Sequence, residues 1–234
     1  LGLESQLHEP LEAAESDGVP LLEVAPELDP IELATEHDYE DDPADSDEDA
    51  DDDDHGDLDP HVWFDPSRMA DAVPVIADAF LDAAPDADAD AVRETADAYA
   101  EQLVALDVEV EEILADVPDE RRVLVTNHDN LGYLADRYGF EVLGVVIPGG
   151  DTLAAPSAGA LDELVDEIER HDATAVFTDE GVASDLADAL AGEADTEVEV
   201  VALYTDTLGD ERGDSGTYVD LMRTNAERIA EALR

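Results

Sequence analysis

The chain contains no cysteine in its 234 residues. Disulfide bonds, thiolate metal sites and cysteine-based catalysis are therefore excluded. No uninterrupted apolar run approaches the roughly 18 residues that a membrane-spanning helix needs. These absences limit the possible chemistry to histidine, carboxylate and hydroxyl side chains.

Lysine is also absent, so all ten basic residues are arginine, against 66 Asp and Glu. The resulting net charge of -56 excludes nucleic-acid binding through phosphate contacts and disfavours adhesion to anionic membranes. Such self-repulsion strains a fold at low salt, but at roughly 1 M salt the Debye length is only about 3 Å. We therefore expect a halophilic protein that loses its helical circular dichroism on dialysis out of molar salt.

Hydrophobic residues make up 44% of the chain, which is enough for a packed core. Residues 36–58 are the exception, because this acidic, histidine-containing run has almost no apolar residue and predicts a loop. Before it, Leu21–Ala25 predicts a strand. After it, Pro66 suits the first turn of a helix that runs to about Ala83.

The second half of the chain alternates strand and helix, which predicts an α/β fold with parallel sheets flanked by helices. Before this alternating half, apolar residues that recur at steps of three and four predict one long helix at 88–116. It would be about 43 Å long, which suits a strut between two lobes. The predicted strands are Val123–Thr126, Glu141–Val146, Ala173–Thr178 and Val198–Ala202, and the predicted helices are Leu131–Tyr138, Ser157–His171, Ala183–Ala191 and Ser215–Leu233.

Three candidate metal ligands are His61 after the acidic run, His128 after a strand, and Asp206 after the last strand. In parallel sheets ligands bind at the carboxyl ends of strands, and two imidazoles with one carboxylate suit zinc or manganese. Asp59 and Asp129 could accept hydrogen bonds that fix the histidine tautomers. From spacing alone, histidines that only hydrogen-bond within the fold are the more common alternative.

Four motifs in sequence order make the chain resemble the zinc- and manganese-specific solute-binding proteins of ABC importers. They cover about residues 59–234. The motifs are D-P-H-V-W-F-D-P at 59–66, V-T-N-H-D-N-L-G-Y-L-A-D-R-Y-G at 125–139, L-Y-T-D-T-L-G at 203–209 and Y-V-D-L-M-R-T-N at 218–225.

This resemblance implies one divalent cation bound between two α/β lobes that a long rigid helix joins. The lobes would be residues 1–87 and 118–234, and the linking helix residues 88–117. His61 would be the ligand from the first lobe, and His128 and Asp206 those from the second. Histidine at 128 favours zinc, because manganese-selective family members often have glutamate there.

Members of this family have a further ligand histidine near the mature N-terminus, upstream of a segment that resembles Leu1–Glu4. We therefore expect the first strand–helix unit, with its histidine and a membrane anchor, to lie upstream of Leu1 and to be absent from this chain, and we expect an extracytoplasmic location. His8 is more simply a solvent-exposed residue and is not proposed as a ligand. Residues 37–57 occupy the place of a cation-collecting loop in zinc-specific members, although an ordinary solvated insertion is the simpler reading.

The resemblance implies a non-enzymatic monomer that captures zinc, or manganese, and passes it to an ABC permease. Two alternatives use other chemistry. A metallohydrolase would activate water on the same three ligands, with Asp129 or Glu180 as general base. An acidic metal buffer would work through residues 37–57 alone. The pair Asp179 and Glu180 could line the cleft, but a solvated loop is the expected role.

Overall fold

A computed structural model describes residues 8–33, 58–147, 165–166, 168–180, 198–209, 213 and 215–234, with backbone alone at 8, 127, 128 and 144–147. The helices are α1 (His8–Ser16), α2 (Pro66–Ala83), α3 (Ala89–Leu114), α4 (Gly132–Tyr138) and α5 (Tyr218–Leu233). Single 3-10 turns lie at Ala25–Leu28, Val62–Phe64 and Asp119–Arg121. The strands are β1 (Val123–His128), β2 (Glu141–Ile147), β3 (Ala175–Asp179) and β4 (Glu199–Leu203).

The four strands form one parallel sheet in the order β2-β1-β3-β4. From β1 the chain continues to β2 on one side of the sheet and then crosses to β3 and β4 on the other side. The strand order therefore switches between β1 and β3, and ligands of open α/β sheets bind at such a switch point. His128 ends β1, Asp179 ends β3 and Leu203 ends β4, so these three residues share the carboxyl edge of the sheet. The predicted α/β class with a helix-flanked parallel sheet is confirmed.

Both faces of this sheet are covered, because alternate residues of a strand point to opposite sides. Leu124 and Phe177 belong to the main core with α3, α4 and α5, whereas Val125 and Val176 pack with Ile168 on the opposite face. Near-continuous burial along β3 is the pattern expected of a central parallel strand.

Helix α3 spans 26 residues and begins at the N-cap Asp88, whose carboxylate accepts hydrogen bonds from two backbone amides. At 1.5 Å per residue it is about 39 Å long. The predicted apolar stripe is buried only in its second half, where Leu103, Leu106, Val110 and Leu114 are at most 2% exposed. Tyr99, in the first half of the stripe, is 40% exposed. The long helix is confirmed, while the lobe boundaries at 87 and 117 stay predictions.

The strand predicted at Leu21–Ala25 is wrong. Residues 21–24 are irregular, and Ala25 begins a 3-10 turn. Prolines at 20 and 26 flank the segment and cannot donate to a sheet, and Leu21 and Leu22 are 44% and 45% exposed. Within the described part of the first 87 residues, strand-like pairing is limited to an isolated antiparallel bridge between Glu32 and Leu58.

The other predicted elements that fall within the described residues agree with the structure to within a few residues. Gly139, with a φ of +71°, takes the left-handed conformation that ends α4, which explains the glycine in the second motif. The helix predicted at 157–171 is described only at residues 165–166 and 168–170, which are helical, and the helix predicted at 183–191 lies outside the described residues. No helix in the described ranges is long and apolar enough to cross a membrane.

Candidate metal centre

His61 lies in a short irregular segment between the bridge at Leu58 and the start of α2 at Pro66. Its side chain is 1% exposed, and the ring of Trp63 meets it edge-on with centroids 5.3 Å apart. The backbone N–H of Phe64 donates to the carbonyl of His61 and closes the 3-10 turn that follows. A buried imidazole in this position needs a partner for each ring nitrogen.

Asp59 supplies one of those partners. Its Oδ1 lies 2.8 Å from His61 Nδ1 and also accepts the backbone N–H of His61 at 2.8 Å. A carboxylate there selects the tautomer with the proton on Nδ1, so that the ring lone pair is on Nε2. The predicted contact between Asp59 and His61 is confirmed, and both side chains are buried.

The segment that carries His61 is fastened to the second half of the chain by three long-range hydrogen bonds. Tyr133 on α4 donates its hydroxyl to the carbonyl of Asp59 at 2.8 Å. Trp63 donates its indole Nε1–H to the carbonyl of Thr205 at 3.1 Å, and Tyr218 on α5 donates to the carbonyl of Trp63 at 2.7 Å. His61 is therefore held against the carboxyl edge of the sheet from three directions.

The hydroxyls of Tyr133 and Tyr218 act in these bonds as neutral donors. Burial raises the pKa of Tyr218, and the nearby carboxylate of Asp65 raises it further. Burial likewise raises the pKa of Tyr133. Both phenols therefore keep their protons well into the alkaline range, which preserves the two bonds.

The other two predicted ligands lie at the same edge of the sheet. His128 is the last residue of β1, with its backbone in register with Ile147 of β2. Asp206 is exposed and follows β4 by three residues, directly after the buried Thr205. Among the side chains that the structure describes, which do not include His128, no three His, Cys, Asp or Glu residues converge closely enough to hold a metal. The set of His61, His128 and Asp206 therefore stays a prediction.

Asp129 is buried, at 1% exposure, and its predicted role behind His128 also stays a prediction. Glu180 is exposed, and its carboxylate accepts a hydrogen bond from Nη1 of Arg228 at 2.9 Å. The solvated-loop interpretation is correct for Glu180 but wrong for Asp179, which is only 4% exposed. As the last residue of a fully buried central strand, Asp179 has no solvent-facing position available to it.

Asn225 has a role that the fourth motif did not reveal. Its side chain is fully buried, and its Oδ1 accepts the backbone N–H of Tyr204 at 2.9 Å. Its Nδ2 donates to the carbonyl of the same residue at 2.6 Å. The Asn225 amide thus binds both backbone polar groups of Tyr204, as a neighbouring strand would, directly after the end of β4. These two bonds fix the backbone just before Thr205 and Asp206. The signal in the sequence was the Asn itself, at an otherwise apolar helix face.

Comparison with known proteins agrees with this architecture. The family profile of ZnuA, the periplasmic component A of a zinc-uptake complex, matches residues 1–232. The solved structure of the periplasmic zinc-binding protein TroA from Treponema pallidum superimposes with a TM-score of 0.80 at 28% identity, covering 100% of this chain and 78% of that chain.

Two curated relatives differ in the metal that their names give. The zinc-binding protein TroA of Treponema pallidum is 32% identical over 176 residues, which are 74% of this chain and 56% of that protein. The manganese-binding lipoprotein MntA of Bacillus subtilis is 34% identical over 177 residues, 74% of this chain and 57% of that protein. The chain thus spans a little over half the length of these relatives. With the profile matched along nearly all of its residues, the chain belongs to the ZnuA family of periplasmic metal-uptake components.

Proposed function

We propose that this protein is the extracytoplasmic solute-binding component of a metal ABC importer, which captures Zn(II) or Mn(II) and delivers it to a membrane permease. Family membership supports the class of function, and the names of TroA and MntA support the two metals. The lipoprotein named among the relatives supports association with a membrane surface. We further infer that the protein acts as a monomer beside its permease.

The cation would bind to His61 Nε2, to the His128 imidazole and to the Asp206 carboxylate. The observation that carries this assignment is the buried pair of Asp59 and His61, at the carboxyl edge of a parallel sheet. A carboxylate behind an imidazole raises its basicity and fixes its orientation, as is usual for metal-binding histidines. Nitrogen and oxygen donors together favour Zn(II), and they also accept Mn(II).

The hydrolase alternative has no specific observation in its favour. Of its two candidate bases, Glu180 is exposed and paired with Arg228. In the proposed transport function the metal ion is cargo that is released unchanged, so that function needs no general base beside the ion. The buffer alternative depends on residues 37–57, which lie outside the described residues. A deletion of that segment separates it from the proposed function.

The test is Zn(II) affinity measured by chelator competition in molar KCl. We expect one stoichiometric site in the full chain and in a chain without residues 37–57. The double variant His61→Ala, His128→Ala should lose that site, because a single carboxylate cannot hold the ion tightly. His171→Ala is the control, since this histidine is exposed at a helix end remote from the sheet edge.

Equal affinity in the double variant and the control would contradict the ligand assignment. Loss of Zn(II) binding in the chain without residues 37–57 would support the metal-buffer alternative instead. A parallel titration with Mn(II), followed by electron paramagnetic resonance of the free ion, ranks the two metals on the same protein.

A further inference from the structure

Asp179 is a buried carboxylate that the predicted ligand set does not use. It ends β3, the strand that lies between β1 and β4 in the sheet. It therefore stands between the loop after β1, which follows His128, and the loop after β4, which carries Asp206. A carboxylate that is 4% exposed is costly to bury unless hydrogen bonds compensate for its lost hydration.

Its described contacts reach into both of those loops. Asp179 Oδ1 accepts a hydrogen bond from the hydroxyl of Thr205 at 2.6 Å. The same oxygen accepts a longer bond, 3.4 Å, from Nδ2 of Asn130. Short bonds from a hydroxyl to a carboxylate are among the stronger ones in proteins, so the contact with Thr205 dominates. The Asp179 side chain thus connects Thr205, which precedes the predicted ligand Asp206, to Asn130, which lies two residues after the predicted ligand His128.

Thr205 extends this connection to the third predicted ligand. Its hydroxyl binds Asp179 while its carbonyl accepts the indole N–H of Trp63, two residues after His61. The backbone of Tyr204, directly before it, is already fixed by Asn225. The conformation of Thr205 therefore affects both Asp206, the next residue in the chain, and the segment of His61.

We propose that Asp179 is a positioning residue for the metal site, which through Thr205 and Asn130 holds the loops of the three ligands in one arrangement. The inference rests on the proposed function, because it takes His61, His128 and Asp206 as ligands. Asp179 does not bind the ion in this role. It sets the geometry in which the ligands meet, and partners of this kind commonly change metal affinity by about 10- to 100-fold.

The substitutions that test this role change one functional group of the connection at a time. Thr205→Val deletes the hydroxyl while keeping the side-chain shape, and Thr205→Ser restores a hydroxyl. Asp179→Asn keeps the volume and one acceptor oxygen but removes the charge. The matched controls are Thr207→Val and Glu180→Gln, which make the same chemical changes at exposed positions nearby.

Two measurements on the full chain in molar KCl give the outcome. The first is Co(II) titration, which reports affinity and, through the visible absorption, the geometry around the ion. We expect Thr205→Val to weaken the tight site about 10-fold and alter the spectrum, Asp179→Asn to act in the same direction, and Thr205→Ser to restore both affinity and spectrum. The controls should match the parent protein.

The second measurement is acrylamide quenching of the metal-free protein, in which Trp63 is the single tryptophan. Loosening Thr205 should increase quenching in Thr205→Val and leave the Thr205→Ser value at that of the parent. A tight site that is unchanged in Thr205→Val, or a loss that Thr205→Ser does not rescue, would overturn the positioning role while leaving the proposed function intact. Absence of a tight site in the parent protein would overturn both.

Discussion

The two ends of α2 face different environments. At its start, Asp65 is 4% exposed and caps the helix, accepting hydrogen bonds from Ser67 and Arg68. The guanidinium of Arg68 reaches back to the carbonyls of Leu28 and Asp29 and lies over the ring of Tyr133. This end, which adjoins His61, is fixed by polar contacts on all sides.

The far end of α2 is open. With the first half of α3 it lines a groove of about 560 Å³, and its walls are almost entirely apolar. Ile76 and Phe80 on α2 are 46% and 51% exposed there, and Tyr99 on α3 is 40% exposed. These walls contrast with the charged and hydrogen-bonded groups around the start of α2.

The contrast between the two ends of α2 indicates which part of the fold has the most tightly fixed geometry. Charged and hydrogen-bonded groups are placed where His61 must keep its position relative to the sheet, and their directional contacts define a single geometry. Along the middle of α3, Leu103 and Val110 are buried by apolar packing, and the buried Asp107 between them adds an ion pair with Arg137. The following three pairs of variants test that contrast.

The largest effect is expected at the cap of α2. Asp65→Ala removes the acceptor for Ser67 and Arg68 and leaves a half-buried guanidinium without its carboxylate. We expect a loss of about 2–3 kcal/mol in the free energy of unfolding, measured with urea in molar KCl. The matched variant is Asp88→Ala, the exposed cap of α3 beside the groove, which should cost about 1 kcal/mol or less. Equal costs would show that the two ends do not differ.

An intermediate effect is expected for Tyr218→Phe, which removes the hydrogen bond to the carbonyl of Trp63 and should cost about 1 kcal/mol near neutral pH. Burial raises the pKa of Tyr218 in the folded state, so the unfolded chain releases this proton first as pH rises. The stabilisation is complete below about pH 10, the ordinary value for tyrosine, and is lost above it.

The pH dependence of unfolding therefore separates the two ends of α2. Tyr218→Phe should flatten the decline in stability above about pH 10. Tyr99→Phe should flatten it less, because the Tyr99 side chain is 40% exposed, although burial also raises its pKa. A larger change for Tyr99→Phe would reverse the assignment of the tight and open ends.

The smallest effect is expected in the groove. Ile76→Ser changes an exposed wall residue, and we expect a change of about 0.5–1 kcal/mol with reduced binding of an apolar dye. Ile229→Ser, at a fully buried position of α5, should cost more than about 3 kcal/mol. If Ile76→Ser were as costly as Ile229→Ser, the Ile76 side chain would be buried in solution. The far end of α2 would then not be open, and the contrast between the two ends would fail.

Much of the fold after residue 58 could be predicted from the sequence, because periodicity there follows burial. The strand at Val123 and the helices at Pro66 and Tyr218 begin within a few residues of their predicted positions. The strand predicted at Leu21–Ala25 failed for a physical reason: an apolar segment forms a strand only when it can pair with a neighbour, and the prolines at 20 and 26 remove donors that such pairing needs. The stripe on α3 likewise predicted burial of Tyr99 from spacing alone, without the partner that would provide it.

The contact behind His61 was predictable because Asp59 is two residues away in the same segment. The role of Asp179 was not, because it depends on strand order. Only when β3 lies between β1 and β4 does its last residue reach Thr205 and Asn130. Local sequence therefore identifies ligand candidates, whereas the residues that position them require the topology.

The isolated bridge between Glu32 and Leu58 has a consequence for how this protein can vary. The backbone N–H of Asp59 also donates to the carbonyl of Ile31, so the chain is clamped on both sides of residues 33–57. Because Glu32 pairs with Leu58 and Asp59 bonds to Ile31, the backbone two residues before His61 is fixed by residues that precede the acidic run as well as by α4. We therefore expect a change in the length of that run to leave His61 in place as long as these two contacts form.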